Sequence, residues 1–299
     1  DHCHRAKEVF WLDHAQKYQD DDRIKIQTLW VPAHAVLEQG VTGQARTLRT
    51  EARHRFINGE GIRVFSRPEE LDDFLTERDI DPAKRRNLIS DAGTLCPEFN
   101  LEHDGVEFFV HSPFGKRGDD DVVRVRNNDA LFMQATFEVE EQQTKMVLSA
   151  DVTHEVIDDI VKVTQRHDRE YRLEWDINNI PHHCSYKSLS DEKGDEKTEP
   201  TATSKWLYEE AGQTGGLLVS TSKIIPDGDE DDQPPHRQAA AYYKSVANQL
   251  GGEWIVSMEH PTKTKPEPLV IEITSAGYKI RKQTAKVVIS TAAPRAGAQ

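Results

Sequence analysis

The strongest constraint on the fold is a change of hydrophobic period close to Leu148. Before this residue, apolar side chains fall near alternate positions, at Phe137, Val139 and Met146, with polar residues between them. A period of two predicts strands with one covered face. The polar run EEQQTK at 140–145 predicts a turn between two such strands. The segment is therefore expected to form a β-hairpin.

After this hairpin the period becomes helical, because apolar residues recur at spacings of three and four: Val152, Val156, Ile157, Ile160, Val161 and Val163. Such spacing places them on one side of an α-helix. Ser149, Asp151 and Thr153 are each competent N-cap residues, and Asp151 and Glu155 suit the positive end of the helix dipole. A helix ending near 168–170 is predicted.

The first 100 residues are predicted to be mostly helical. Their patterns indicate helices and short strands in the order helix 1–18, strand and helical turn 24–37, helix 43–56, strand 61–66, and helices 66–78 and 82–93. In the helix that begins near Ser66, the apolar stripe is Leu71, Phe74 and Leu75. This region is interpreted as an arm or a small helix-rich subdomain covering 1–103.

The rest of the chain alternates strands and helices. The patterns predict strands at 105–112 and 121–127, an exposed insertion at 181–204, a helix at 205–212, a strand at 215–225, an acidic loop at 226–235, a helix at 237–250, and strands at 253–260, 268–274 and 278–290, followed by a tail. The insertion is predicted because it is polar and poor in apolar residues. A mixed α+β fold follows from this order.

Charge and composition exclude several classes of protein. The net charge of −14 argues against a free-standing nucleic-acid binder, because phosphate contacts need clustered Lys and Arg. No apolar run approaches the length of a transmembrane helix, and no secretory signal is apparent at the start. The three cysteines, Cys3, Cys96 and Cys184, have no paired spacing, which fits a reducing compartment.

The densest cationic stretch offers one candidate binding surface. It consists of Arg46, Arg49, Arg53, His54 and Arg55 on one predicted helix. A solvated helix face is the simpler interpretation, and a contact with a phosphate or a partner's carboxylate is the alternative.

Candidate metal ligands are present but poorly spaced. His182, His183 and Cys184 are adjacent, with His2, Cys3 and His4 as distant partners. Zinc sites usually use spaced pairs, because adjacent side chains diverge. Asp158 and Asp159, with Glu155, invite a carboxylate-pair interpretation, but helical neighbours point about 100° apart. These residues are expected to be structural, and no metal ligand or cofactor is assigned.

No catalytic motif was found. Asp227, Asp229 and Asp231 resemble the opening of a calcium loop, but Asp232 replaces the required Gly and Gln238 the required Glu. GxSxG, HExxH, P-loop and GxGxxG sequences are absent, and the strand at Glu272 reads EIT rather than the ExK of many nucleases. No catalytic residue is assigned.

The order of elements resembles that of the major capsid proteins of tailed phages. The resemblance rests on the strand sequence ATFEVEEQQTKMVLSADV followed by the helix that begins THEVIDDIVK. It implies an extended loop, a long spine helix, a mixed α/β axial domain and a returning strand, at about 104–148, 151–170, 200–262 and 266–290. The corresponding domains would be 1–103, 104–180, 181–262 and 263–299.

This resemblance implies a structural, self-assembling shell subunit rather than an enzyme. Its partners would be copies of itself, packaged DNA through non-specific contacts, and other virion proteins, without a membrane. Its location would be the virion, assembled in the host cytoplasm. The alternatives are a metal-dependent α+β enzyme acting on nucleic acid or phosphate esters through Asp158, Glu174, Asp176 and Glu272, and a non-catalytic interaction module.

Overall fold

The computed structural model describes residues 3–115, 127–229 and 232–281. The strand predicted at 121–127 lies almost wholly outside these residues, as does the chain from 282 onwards, which includes most of the predicted terminal strand and the tail. The described residues form a mixed α+β fold, as the alternation of sequence patterns predicts.

The helices include long ones at the predicted places and several short turns. They are α1 (Ala6–Val9), α2 (Ala33–Leu37), α3 (Gly43–Asn58), α4 (Glu69–Thr76), α5 (Leu101–Asp104), α6 (His154–Arg166), α7 (Ala202–Lys205) and α8 (Arg237–Gln249). A π-helical turn at Trp206–Glu210 continues α7, and 3-10 turns lie at Gln16–Tyr18, Pro82–Leu88, Glu170–Arg172, Tyr186–Ser188 and Ser257–Glu259.

The strands fall into one large sheet and several small ones. They are β1 (Phe10–Trp11), β2 (Ile24–Lys25), β3 (Leu29–Pro32), β4 (Ile62–Phe65), β5 (Ile89–Ser90), β6 (Val106–Ser112), β7 (Phe132–Val139), β8 (Gln142–Ser149), β9 (Trp175–Ile180), β10 (Gly212–Ser220), β11 (Glu253–Val256), β12 (Pro261–Thr262), β13 (Lys265–Pro266), β14 (Ile271–Thr274) and β15 (Gly277–Ile280).

The large sheet contains β6 to β11 in sequence order. Strands β6, β7 and β8 are antiparallel, and β8, β9, β10 and β11 are parallel. Each parallel step needs a crossover, and α6, α7 and α8 lie in these connections. Strands on both sides of the predicted domain boundary at 180 therefore belong to one sheet.

The predicted hairpin lies in the interior of this sheet. Its strands pair from Phe132 with Ser149 to Val139 with Gln142. The turn contains only Glu140 and Glu141, both with positive φ, which a two-residue hairpin turn of this twist requires. Residues 142–145, predicted as part of the turn, are therefore strand. Strands β6 and β9 flank the hairpin on its two sides.

Helices cover one face of the sheet. Helix α6 buries the predicted stripe, including Val156, Ile157, Ile160 and Val161, against the sheet residues Phe132, Val147, Ile180 and Leu218. Each fully buried side chain of this size stabilises the fold by roughly 1.5–3 kcal/mol relative to exposure. Residues of α8 complete this core. The amphipathic sequence of α6 therefore explains why it packs there.

The opposite face is covered in two parts. Ile177, Leu217 and Val219 pack against the hairpin formed by β14 and β15. On the other side, Met133 of β7 and Val110 of β6 pack against an N-terminal unit. The two coverings come from distant parts of the chain, and both contribute to the surroundings of the candidate site.

The N-terminal unit has a sheet that the sequence patterns did not predict. Strands β3, β4 and β5 form a parallel sheet, and α2, α3 and α4 pack with it around the buried residues Phe56, Val64 and Leu71. The predicted apolar stripe of α4 is buried, although its N-cap is Pro68 rather than Ser66. The interpretation of 1–103 as a helix-rich arm therefore misses a parallel sheet.

Three segments differ clearly from prediction. Residues 82–93 were expected to form a helix, but they contain the 3-10 turn Pro82–Leu88 followed by β5. Residues 1–18 were expected to be helical, but the described part contains only α1, β1 and a short 3-10 turn. The insertion at 181–204 was expected to be exposed, but it buries Cys184, Leu189 and Thr198. Within the described ranges, no helix combines the length and apolar character that crossing a bilayer demands.

Candidate functional site at the carboxyl edge of the sheet

Three neighbouring parallel strands end at the same edge of the large sheet. Strands β8, β9 and β10 end at Ser149, Ile180 and Ser220, and their registers align Leu148 with Asn179 and Ser220 with Ile180. In open α/β sheets, ligands bind outside the carboxyl ends of the parallel strands. The segments that follow these three strands are therefore the first place to look for a site.

The segment after β9 has an unusual backbone. His182, His183 and Cys184 have φ values of 50°, 51° and 66°, so three consecutive non-glycine residues are left-handed. Each such residue costs roughly 1–2 kcal/mol relative to a right-handed conformation. Residues in sparsely populated conformations persist only where their surroundings hold them, and they cluster at functional sites. We call residues 182–184 the left-handed turn.

Hydrogen bonds hold the left-handed turn at both ends. The N–H of His182 donates to the Ala150 carbonyl at 3.1 Å, which links the turn to the segment after β8. The N–H of Ser185 donates to the His182 carbonyl at 3.0 Å, and the N–H of His236 donates to the Cys184 carbonyl at 3.0 Å. The Cys184 side chain is fully buried in the helix-covered core. The turn is therefore fixed from three sides.

The left-handed turn brings both histidine side chains to one cavity. His182 and His183 line this cavity together with Asp151. Nε2 of His183 lies 3.6 Å from a carboxylate oxygen of Asp151, and Nδ1 of His183 lies 3.0 Å from the Thr221 carbonyl oxygen. A carbonyl oxygen only accepts, so Nδ1 carries a proton. Side chains that diverge in a regular strand or helix thus converge here.

Burial affects the charge of His182. It lowers the pKa of this imidazole, and the positive charges of His183, Lys187 and His236 act in the same direction, while Asp151 opposes them. The neutral ring is therefore favoured, which is the form that binds metal ions. Nδ1 of His182 is buried and has no hydrogen-bond partner among the described residues.

The cavity has a volume of about 440 Å³ and is lined by both polar and apolar residues. Its polar lining, which we call the polar side, consists of Ser149, Asn179, Thr221, the two histidines and Asp151. There Asn179 donates to the Ser149 carbonyl at 3.0 Å. The apolar side consists of Trp30, Phe108, Leu131, Met133, Leu148, Ala150 and Ile180. None of the described residues that line the cavity is Lys or Arg.

Cys184 does not contribute to the cavity. Its thiol is fully buried, and burial raises its pKa well above the usual range, whereas a hydrogen bond with Ser220 acts in the opposite direction. A buried thiol with a raised pKa does not supply the thiolate that binds metal. Of its predicted distant partners, Cys3 and His4 do not line the cavity, and His2 lies outside the described residues.

The carboxylates of the predicted enzyme alternative lie in three separate places. Asp158 accepts hydrogen bonds from Thr201, at 2.8 Å, and from Thr203, and so fixes the start of α7. Glu272 lies 3.4 Å from Lys279 on the hairpin of β14 and β15. These two residues therefore have structural contacts rather than a shared site.

Glu174 and Asp176 form the third place. Glu174 pairs with Nζ of Lys145 at 2.5 Å, and the backbone N–H of Lys145 donates to Asp176 at 2.7 Å. Burial raises the pKa of Asp176, although that hydrogen bond lowers it. Both residues lie at or before the start of β9, whereas the cavity lies at its other end.

The acidic loop is occupied by ion pairs. Asp229 accepts hydrogen bonds from Arg237 at 2.7 and 3.1 Å and from Gln238 at 2.9 Å, and it lies 3.2 Å from Nζ of Lys193. Asp231 lies outside the described residues. The calcium-loop resemblance of this segment was rejected, and the contacts of Asp229 join the loop to the 181–204 insertion.

The cationic stretch on α3 is largely structural. Arg49 donates to the Glu38 carbonyl at 2.9 Å, and Arg53 donates to the Val36 carbonyl at 2.7 Å. Arg55 is buried and pairs with Glu51 at 2.6 Å. These three side chains are therefore committed to the N-terminal unit, and the prediction of a solvated face is wrong for them.

Sequence reasoning missed Asp151 as a site residue. It was assigned to the start of α6, but the N-cap residue is Thr153, and Asp151 lies before it in the cavity. An acidic residue two positions after a strand, followed later by two histidines after the next parallel strand, is the signal that finds this site. Its weakness is that the left-handed turn cannot be recognised from the residue types.

Throughout residues 3–115, 127–229 and 232–281, no group of three or more His, Cys, Asp or Glu side chains is arranged to hold a metal ion by itself. A cation at this edge would therefore have fewer than three ligands from the described residues. Comparisons with protein-family models, with curated proteins and with solved structures found no match for this chain.

Proposed function

We propose that this chain hydrolyses a small-molecule ester at the carboxyl edge of its large sheet, with a divalent cation held by Asp151 and His182. The observation that carries the proposal is the left-handed turn, which places His182 and His183 on the cavity that Asp151 also lines. Burial of Cys184 and backbone hydrogen bonds hold this strained turn, and we attribute the strain to function because the turn places two histidines on the cavity.

The side chains at this edge fit such a cation. Imidazole and carboxylate groups are ligands for zinc and manganese, and a catalytic cation keeps open positions for water and substrate. Asp151 and His182 would supply two ligands, one fewer than the three protein ligands of a typical catalytic zinc site, so water and substrate would fill the remaining positions. Nδ1 of His182, buried without a partner in the described part of the chain, is the polar atom that a cation would satisfy. The lowered pKa of His182 keeps the ring neutral for binding.

The remaining residues orient the ligands. His183 donates from Nδ1 to the Thr221 carbonyl, and its Nε2 faces Asp151. This arrangement places the His183 ring beside the carboxylate, where second-shell partners of metal ligands lie. The Ser149 hydroxyl donates to the Asn179 carbonyl, and the side-chain amide of Asn179 donates to the Ser149 carbonyl.

The reaction adds one water to one ester bond. When bound, a divalent cation acts as a Lewis acid on the carbonyl oxygen and makes water a stronger acid. The water oxygen forms a bond to the acyl carbon, and the bond from that carbon to the alcohol oxygen breaks. One proton of the water moves to the alcohol oxygen, and the other stays with the new carboxyl group. His183 and Asp151 are the side chains in the cavity that can accept a proton during this step.

Hydrolysis of a chromogenic ester tests the proposal. We expect p-nitrophenyl acetate to be hydrolysed by the purified chain with added zinc or manganese and not after chelation. Replacement of Asp151 by Asn should lower kcat/KM by about 100-fold or more, the range for a positioned catalytic group. Glu155→Gln is the matched control, because Glu155 is exposed and only four residues away. Equal activity of Asp151→Asn and Glu155→Gln would contradict the proposal.

A shell subunit of the tailed-phage capsid type is the second proposal. Its support is the order of elements, since a hairpin at 132–149 is followed directly by α6. The hairpin, however, lies between β6 and β9 instead of extending from the fold. Native mass measurement separates the two proposals. A shell subunit forms large closed assemblies at some salt and protein concentration, whereas the hydrolase needs only the single chain.

A further inference from the structure

Two aromatic residues in the apolar lining of the cavity have a fixed arrangement. Trp30 of β3 and Phe108 of β6 meet edge to face, with ring centroids 5.3 Å apart and planes at 89°. Trp30 also contacts Phe65 and Phe99 in edge-to-face geometry, at 5.5 and 5.9 Å. These contacts come from two strands and one loop of the first 100 residues and from one strand of the large sheet. The contacts hold the rings of Trp30 and Phe108 in place, and we call these two rings the rigid corner.

A packed core lies behind this corner. Phe65, Cys96, Val110 and Met133 are buried and pack against Trp30, Phe108 and Leu131. Burial raises the pKa of the Cys96 thiol to about 12, so no charge forms there at neutral pH. The corner is therefore apolar, uncharged and supported from behind, and its free side faces the cavity that contains Asp151 and His182.

Size and charge restrict what the cavity accepts. A volume of about 440 Å³ lies in the range of small-molecule sites. None of the described lining residues is Lys or Arg, so the proposed cation is the main positive charge that this lining would offer to a substrate. Two aromatic rings at right angles offer one face and one edge, and aromatic groups pack favourably against both.

We propose that the substrate is an uncharged ester that carries an aromatic ring, and that Trp30 and Phe108 bind this ring and determine specificity. This inference rests on the proposed function, because it assumes that the acyl group lies at Asp151 and His182. The ring would lie against the rigid corner.

The first test measures binding without catalysis. In the presence of a chelator, 2-naphthol is expected to bind the wild-type chain in equilibrium dialysis. Trp30→Ala and Phe108→Leu should each weaken this binding about fivefold to tenfold, since an aromatic contact adds its pairing energy to the buried area. Tyr171→Leu is the control, because the Tyr171 side chain is half exposed and does not line the cavity. Thermal unfolding of each variant identifies any that fail to fold, and Phe108→Leu is the conservative substitution.

The second test measures selectivity. We expect 2-naphthyl acetate to be hydrolysed with a higher kcat/KM than cyclohexyl acetate or 2-naphthyl phosphate. Trp30→Ala and Phe108→Leu should remove the preference over cyclohexyl acetate, and Tyr171→Leu should keep it. Equal use of the naphthyl and cyclohexyl esters by the wild type, or a preference for the phosphate, would overturn the inference.

The two tests separate this inference from the proposed function. Binding of 2-naphthol that depends on Trp30, without any ester hydrolysis, would support the aromatic corner and count against the hydrolase. Hydrolysis that depends on Asp151 but is insensitive to Trp30 and Phe108 would support the hydrolase and overturn the aromatic corner. Absence of 2-naphthol binding to the wild type would also overturn it.

Discussion

The helix-covered face of the large sheet and its carboxyl edge contribute to the stability of the fold in opposite directions. On the covered face, Val147, Ile180 and Leu218 are buried beneath amphipathic helices whose periodicity is evident from the sequence. At the edge, His182 and His183 adopt left-handed backbone conformations next to the cavity. The first region lowers the free energy of the fold, and the second raises it. The comparison teaches that stability and the candidate chemistry are located in different, adjacent parts of one sheet.

The largest expected effect lies on the covered face, at Trp175. This side chain is fully buried, and its Nε1 donates to the Leu207 carbonyl at 2.9 Å. Gly212 and Gly216 accommodate its ring, because a Cβ at either position would approach it to 2.6 or 2.8 Å. Replacement by Ala should lower the free energy of unfolding by about 3–5 kcal/mol, the range for buried aromatic residues.

Urea denaturation measures this change. Tyr171→Ala is the control, because half of the Tyr171 side chain is exposed only four residues away. The control should change the unfolding free energy by no more than about 0.5 kcal/mol. Comparable losses of unfolding free energy in Trp175→Ala and Tyr171→Ala would contradict the contrast between a packed face and an exposed surface that tolerates substitution.

The second prediction concerns His182 at the carboxyl edge of the sheet, where the smaller substitution should give the more stable protein. His182→Gly removes the Cβ that makes its left-handed backbone unfavourable, and His182→Ala keeps that Cβ while also removing the imidazole. The Gly variant should therefore be more stable than the Ala variant by about 1 kcal/mol. Both variants should lose cation binding. Thermal unfolding of the two variants side by side checks the sign, and greater stability of the Ala variant would show that the turn is not strained.

The smallest effect concerns the ion pairs that join the acidic loop to the insertion. Hydrogen bonds from Arg237 and Gln238 lower the pKa of Asp229 to about 2. An unfolded Asp titrates near pH 3.9, so the stabilisation is present above about pH 4 and is lost as the pH falls toward 2. Because this carboxylate is exposed, the effect should be small.

Unfolding of the wild type and of Asp229→Asn should therefore differ at pH 5, and the difference should disappear as the pH falls through about 2, where Asp229 becomes protonated. Asp227→Asn is the control, since Asp227 is an exposed residue of the same loop. A wild-type advantage that persists unchanged at the acidic end would contradict the assignment.

The regular elements were largely predictable from the sequence. Helix α6 was predicted because its apolar stripe is continuous, and the hairpin at 132–149 because its alternation is clear. The parallel sheet of the N-terminal unit was predicted only in part. Strands were expected where β3 and β4 lie, but β5 has only two residues and falls in a segment predicted to be helical, and no local pattern shows that the three strands pair.

The candidate site was only half accessible to sequence reasoning. His182 and His183 were considered as metal ligands, but neighbouring side chains diverge in regular structure, and the left-handed turn that makes them converge has no residue signature. Asp151 was interpreted as a helix cap because it precedes α6. Its place in the cavity depends on the pairing of β8 with β9, which no local pattern encodes.

Calorimetric titration of zinc or manganese into the metal-free chain tests the central claim most directly. The wild type should bind about one ion per chain in the cavity. Asp151→Asn and His182→Gln should each weaken binding at least about tenfold, and Glu155→Gln should not change it. Absence of binding in the wild type, or equal affinity in all four proteins, would contradict the assignment of this edge as a cation-dependent site.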